Sequence, residues 1–331
     1  MLPRRPLLAG LLGCASVGPG IAEARRWRIG FANLDETPGV TLEGLGFTGA
    51  EVRRSFELAA RTLPVDLLCF DNAGDPARAI ANANAAIDAH VNLLIEYNAD
   101  ADANAEIARR LAAASIPALA LVYPLPGIPL YGPDNRRAGR IAGRALAMFA
   151  QDTWPDERVL GVLIGDLADA GPAVADRMQG ISEGVHETLP TLAFAPLDTG
   201  GQPARADALL ARFLRAQPRQ RLLIATLDDL AALYAKNAVE MQRRQSDCVI
   251  VSQGLDRNIH GGASEKKEID PSNRGSVVLG SVAYYMDRYG YEVLPLALLL
   301  LSGKTVPTGT TRHILVTPAN VFHEYPPFDM N

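Results

Sequence analysis

Cysteine is scarce: three among 331 residues, Cys14, Cys69 and Cys248, with no C-x-x-C pair. That excludes a disulfide framework and a clustered zinc site, and leaves Cys69 and Cys248 as expected buried free thiols. Aromatic side chains make up only 6% of the chain, too few for a base-stacking platform. Positive charge forms no dense tract. The 32 Lys and Arg against 37 Asp and Glu leave a net charge of −5, so neither a nucleic-acid groove nor a polybasic membrane surface is expected. Histidine is thin as well. His90, His186, His260, His313 and His323 form no H-E-x-x-H, so each is read as a surface or helix-end residue, with no metal and no cofactor. Long apolar runs are missing too, since 294–301 is short and holds Pro295.

What is present is globular: 48% hydrophobic and 21% charged residues, with 29 Gly and 23 Pro. At roughly 100–200 residues per domain, the length suggests two domains. Residues 1–24 stand apart. Arg4 and Arg5 precede an apolar stretch over 7–17, and Ala22-Glu23-Ala24 supplies a small-x-small cleavage site. The expectation is a signal peptide removed after Ala24 and a periplasmic chain. The paired arginines also resemble a twin-arginine signal, and Leu11-Leu12-Gly13-Cys14 resembles a lipobox that would tether Cys14 to a membrane.

From residue 28 onward, short apolar runs alternate with Ala-rich amphipathic stretches. Strands are predicted over 28–32, 65–70, 92–96, 118–122, 159–164, 191–195, 221–225, 249–252 and 276–279. Helices are predicted over 50–62, 76–89, 101–114, 137–151, 173–188, 204–216, 227–244 and 284–302. Such alternation means βαβ units and parallel sheets covered on both faces. The Pro-rich stretch 123–129 interrupts the series, which restarts at Val159. The predicted fold is therefore α/β: two doubly wound parallel-sheet lobes with a hinge and an interlobe cleft. Ligands in such sheets bind beyond the carboxyl ends of the strands.

Two glycine motifs invite enzymatic readings. Gly44-Leu45-Gly46-Phe47-Thr48-Gly49 is a literal G-x-G-x-x-G, with Asp71 about 20 residues on, as a dinucleotide fingerprint requires. The motif starts well past the strand that ends near Ala32, so a flexible cleft loop is the preferred reading. Gly180-Ile181-Ser182-Glu183-Gly184 matches G-x-S-x-G, but a nucleophile elbow needs a strand before the Ser, and 173–179 looks helical.

The order of several segments resembles the type I periplasmic solute-binding proteins, in their sugar-binding and LacI-like branch. Asp71-Asn72-Ala73-Gly74-Asp75-Pro76 is similar to the family's second βαβ unit, and Ser115-Ile116-Pro117 to its helix-to-strand junction. Asp134-Asn135-Arg136-Arg137-Ala138-Gly139 resembles the segment that enters the second lobe, Arg177-Met178-Gln179-Gly180-Ile181 the "RxxGF" helix, and Ser302-Gly303-Lys304 with Val316-Thr317-Pro318 the family's ending. The resemblance implies lobe one over 27–131 plus 282–312 and lobe two over 132–281 plus 313–331. It implies a monomer that binds a small solute, without chemistry, and docks on an ABC transporter permease. The family's Asp-Arg pair after the fourth strand is replaced by Val122 and Tyr123, and Leu227 precedes Asp228 where Asn is usual. The solute is therefore expected to be sugar-like, ring-bearing or carboxylated. The candidate ligand residues at strand ends are Asn33, Asp35, Tyr97, Asn98, Tyr123, Asp228 and Asp256. Arg177 joins them as the position matching the family's ligand-binding arginine. Two alternatives stay open: a periplasmic sensor docking on a receptor or histidine kinase, and an exported nucleotide-dependent oxidoreductase using 44–49.

Overall fold

The computed structural model describes residues 26–168, 171–261 and 266–326, so the expected signal segment and Cys14 lie outside the described residues. Strands with apolar residues on both faces alternate with capped helices. In chain order these are β1 (Trp27–Asn33), α1 (Gly49–Ala60), β2 (Val65–Asp71), α2 (Pro76–Asp88), β3 (Leu93–Glu96), α3 (Ala101–Ala113), β4 (Ala118–Leu121) and β5 (Leu130–Gly132). Thr48, Asp75 and Asp100 accept hydrogen bonds from first-turn backbone N–H groups and so fix where α1, α2 and α3 begin. A second series follows: α4 (Asn135–Thr153), β6 (Val159–Gly165), α5 (Gly171–His186), β7 (Phe194–Asp198), α6 (Arg205–Ala216), β8 (Arg221–Thr226), α7 (Asp229–Met241), β9 (Cys248–Gly254) and β10 (Val278–Ala283). The chain ends in α8 (Tyr289–Leu301), β11 (Gly309–Thr310), β12 (Leu315–Val316) and α9 (Val321–Glu324).

The strands form two six-stranded sheets, ordered β2-β1-β3-β4-β5-β11 and β7-β6-β8-β9-β10-β12. All pairings are parallel except β10 with β12. This is the expected pair of doubly wound α/β lobes. The chain passes between the sheets after β5, after β10 and after β11. One side chain touches all three passages. His313, between β11 and β12, bonds the Ala283 carbonyl through Nδ1 (2.9 Å) and accepts the Asp134 backbone N–H at Nε2 (3.0 Å). That pair of bonds specifies a neutral imidazole, and burial lowers its pKa to about 4. The expectation of a surface histidine is thus corrected at His313.

Helices α4 and α5 cross on four glycines. A Cβ at Gly180 would lie 2.0 Å from the Arg136 carbonyl oxygen, and one at Gly139 would lie 2.1 Å from that of Arg177. Gly143 and Gly184 are equally tight against Ile181 and Arg140. The G-x-S-x-G motif is therefore half of a helix-packing seam. Ser182 sits within α5 and its hydroxyl donates to the Met178 carbonyl (3.3 Å), which is no nucleophile elbow. Arginine–glutamate pairs flank the seam, Arg136 and Arg140 on Glu183 and Arg144 on Glu187.

Three expectations shift. β7 starts three residues later than predicted and contains Pro196, which an edge strand tolerates on its unpaired side. Cys69 is only half-buried, whereas Cys248 is buried, and both are free thiols. The predicted helix over 284–302 begins at Tyr289, after a 3-10 turn over Met286–Arg288. Among the described residues no helix is long and apolar enough to cross a membrane.

Candidate functional site

The carboxyl ends of both sheets face one another across a cavity of about 500 Å3. Its wall on the first lobe is the β1–α1 loop, Thr41 and Glu43 to Gly46, together with Tyr123 after β4. The second lobe contributes Asp166 after β6, the first turn of α5, Thr199 after β7, and Leu227 and Asp228 after β8.

The loop expected in the cleft is folded into it and packed. Leu42, Leu45 and Phe47 are buried, and Leu42 and Phe47 are joined by a backbone hydrogen bond of 2.8 Å. Between them Glu43, at φ +59°, turns its carboxylate toward the tyrosines at the ends of β3 and β4. Tyr97 donates to Oε1 at 2.7 Å and Tyr123 to Oε2 at 2.9 Å. Burial pushes the Glu43 carboxyl up, against the two phenol donors and the Arg177 charge. Glycine is needed beside it: a Cβ on Gly46 would lie 1.5 Å from Asp256 Oδ2. The terminal Gly49 is equally constrained, its Cβ position lying 1.9 Å from the Asp35 carbonyl oxygen. The G-x-G-x-x-G glycines at 46 and 49 thus serve close packing. Moreover, the N-terminus of α1, where a pyrophosphate would sit, is closed by a capping box in which Thr48 N donates to Glu51 Oε2 at 2.9 Å.

The predicted residues divide into groups. Tyr123 and Asp228 line the cavity. Asp228 caps α7 through Ala231 N (2.7 Å), and burial raises its carboxyl to about 6. Tyr97 and Arg177 stand behind the wall, both fully buried. Arg177 donates from Nη1 to the Leu227 carbonyl (2.8 Å), from Nε and Nη2 to Asn135 Oδ1, and from Nη2 to the Glu43 carbonyl (3.3 Å). Its guanidinium also lies 5.0 Å from the Tyr284 ring centroid. Arg177 therefore joins the two lobes through the inserted loop. Asn135 holds it, and Tyr284 donates to the same Oδ1 (3.2 Å).

The remaining four are away from the cavity wall. Asn33 donates to the Gly49 carbonyl (2.9 Å) and Glu36 (3.0 Å), and Asp35 accepts from Thr37 N (2.8 Å), so both shape the loop. Asn98 exchanges hydrogen bonds with Asn104. Asp256 accepts from Asn258 N (2.6 Å) and donates its own N–H to Asp229 Oδ2 (2.7 Å). Sequence reasoning missed Glu43, Asn135, Asp166 and Asp229. Asp229 is buried, accepts from Ser252 and Ser281 (2.6 Å each), and ties the ends of β9 and β10 to α7. The signal for Glu43 was present in its neighbours, because Leu42, Leu45 and Phe47 are too apolar for a solvated loop.

Residues 42–305 match the model of a periplasmic binding protein domain, most of the chain. The chain belongs to the periplasmic binding protein family, whose members bind substrates and are not enzymes. No curated protein sequence matches it. Among solved structures, an ABC transporter periplasmic solute binding protein from Actinobacillus succinogenes with bound D-allose is similar over 90% of this chain and 100% of its own, with TM-score 0.68 and 13% identity. A solute binding protein from Mycobacterium smegmatis with bound glycerol gives 90% and 96%, TM-score 0.64 and 18% identity. The fructose binding periplasmic domain of a hybrid two component system gives 90% and 93%, TM-score 0.64 and 19% identity. At these identities the likeness is one of fold.

Proposed function

We propose that the chain is exported, captures a small polar solute between its lobes and presents the closed form to the permease of an ABC importer. The observation that carries this reading is the 500 Å3 cavity, walled by both lobes at the carboxyl ends of both sheets. That volume suits a small solute, and contacts from two sides make binding and closure one event. The solute favours the closed state by its differential affinity for it, and a membrane partner reads that state. The bound D-allose of one structural neighbour supports a sugar-like solute. Tyr123 and Asp228 are proposed to touch the solute directly. Tyr97 and Arg177 hold the inserted loop, and Asn33, Asp35, Asn98 and Asp256 brace its surroundings. Cleavage after Ala24, a periplasmic monomer, and lobes over 27–131 plus 282–312 and 132–281 plus 313–331 belong to the same proposal. The fructose binding domain among the neighbours favours a second reading, a sensor that docks on a receptor or kinase.

The test is a thermal-shift screen of residues 25–331 against sugars, polyols, carboxylates, amines, nucleosides and nicotinamide dinucleotides. Solute at about 1,000 times its Kd adds roughly 4 kcal/mol, a rise of several degrees. Asp228→Asn keeps the helix cap and should remove most of that rise. A shift with dinucleotides alone, or one that Asp228→Asn leaves intact, contradicts the proposal. In cells lacking the protein, lost uptake of the solute identifies the importer, and retained uptake with a lost response identifies the sensor.

A further inference from the structure

We propose that the solute carries a protonated amine, held between Glu43 of the first lobe and Asp228 of the second against the ring of Tyr123. This rests on the solute-binding reading and names the chemical class. Three carboxylates line the cavity, Glu43, Asp166 and Asp228, and among the described residues no Lys, Arg or His lines it. Arg177 lies close by, but its donors are committed to Leu227, Asn135 and the Glu43 carbonyl. The cavity therefore has acidic side chains on both sides and no cationic side chain in its wall, and the Arg177 charge behind it only partly offsets the burial of Glu43 and Asp228.

The acceptors there are also short of donors. Asp166 Oδ1 is buried without a hydrogen-bond partner, and so is Oγ1 of Thr199, a residue 1% exposed in the same wall. An ammonium group brings three donors and a positive charge together. Burial raises the carboxyls of Glu43 and Asp228 despite the Arg177 charge, and a cation bound beside them would favour their ionised form. Tyr123 adds an aromatic face, stacked on Tyr97 with centroids 6.2 Å apart, of the kind that attracts a cation. A carboxylated solute would bring a further acid into this space, so that part of the sequence expectation is disfavoured. A neutral polyol would donate to the acceptors but bring no counter-charge to the acids.

The experiment compares probes on one frame: D-glucosamine, D-glucose, N-acetyl-D-glucosamine and D-glucuronate. Ethanolamine, choline, putrescine and spermidine extend the amine arm. Each is titrated calorimetrically at pH 7.5 into residues 25–331. The expected result is binding by at least one amine, at least tenfold tighter than its neutral counterpart. That affinity should fall at least tenfold in Asp228→Asn and in Glu43→Gln, both checked for native thermal unfolding. Amine binding that neither variant weakens overturns the proposal. Binding by neutral or anionic probes alone also overturns it, while leaving the solute-binding reading standing. Silence from every amine overturns it too, and mass spectrometry of whatever co-purifies with the protein then judges the broader reading separately.

Discussion

Glu96 is a buried acid whose shifted titration makes stability depend on pH. It ends β3, is fully buried, and has one oxygen bonded to Asn72 Nδ2 (2.9 Å) and the other unpartnered. Burial raises its carboxyl from the ordinary 4.5 to about 8. Across that window the folded chain keeps a proton that the unfolded chain has released. Glu96 therefore costs stability as pH rises, by about 1.4 kcal/mol per unit. Glu96→Gln should remove that slope, so that the variant gains on the wild type between pH 6 and 8 in denaturant titrations. A constant difference across those pH values would contradict the assignment. Gly46 makes a second residue-scale prediction, because its Cβ position collides with Asp256. Gly46→Ala should cost about 1–3 kcal/mol and expose the loop to proteolysis at 41–47, measured against the wild type. These two residues mark what the sequence hides. A carboxylate at a strand end looks the same whether it is solvated or buried, and only tertiary packing decides.

At the scale of elements, the α4–α5 crossing gives the sharpest test. Gly180→Ala should add about 0.5–1 kcal/mol of helix propensity but force the helices apart at Arg136, costing about 1–3 kcal/mol. The expected net is destabilisation in urea titrations, and a neutral or stabilised variant would show that the crossing is looser than described. The helices and central strands were legible because their apolar spacing is strong and their caps are local: Asp75, Asp100 and Asp228 announce their helices. β7 begins three residues beyond the predicted start because its apolar alternation is weak at a sheet edge. β11 and β12, two residues each, carry no periodicity to read. The sequence places 44–49 in a flexible cleft loop; the structure puts it in the cleft, packed there by buried Leu42, Leu45 and Phe47.

At the scale of the molecule, two sheets of the same order face each other, and the chain passes between them three times at His313. Neutral His313 satisfies one passage as acceptor and another as donor, so its protonation must break the bond to Asp134 N. The folded pKa lies below the ordinary 6.5, so this residue contributes stability at neutral pH that is lost as pH falls from about 6.5 toward about 4. His313→Gln should flatten that loss, read as thermal midpoints between pH 4 and 7. The two-lobe plan was legible in the order of its motifs, whereas the contents of the cleft were not, because Glu43 reaches Tyr97 and Tyr123 only through folding. Function turns on one solute being gripped by both lobes at this cavity. Hydrogen–deuterium exchange, with and without the solute that raises the thermal midpoint most, tests it directly. Added protection is expected at 41–46 and 122–124 on one lobe and at 171–175 and 227–231 on the other. Protection confined to one lobe, or lying outside these segments, would contradict it.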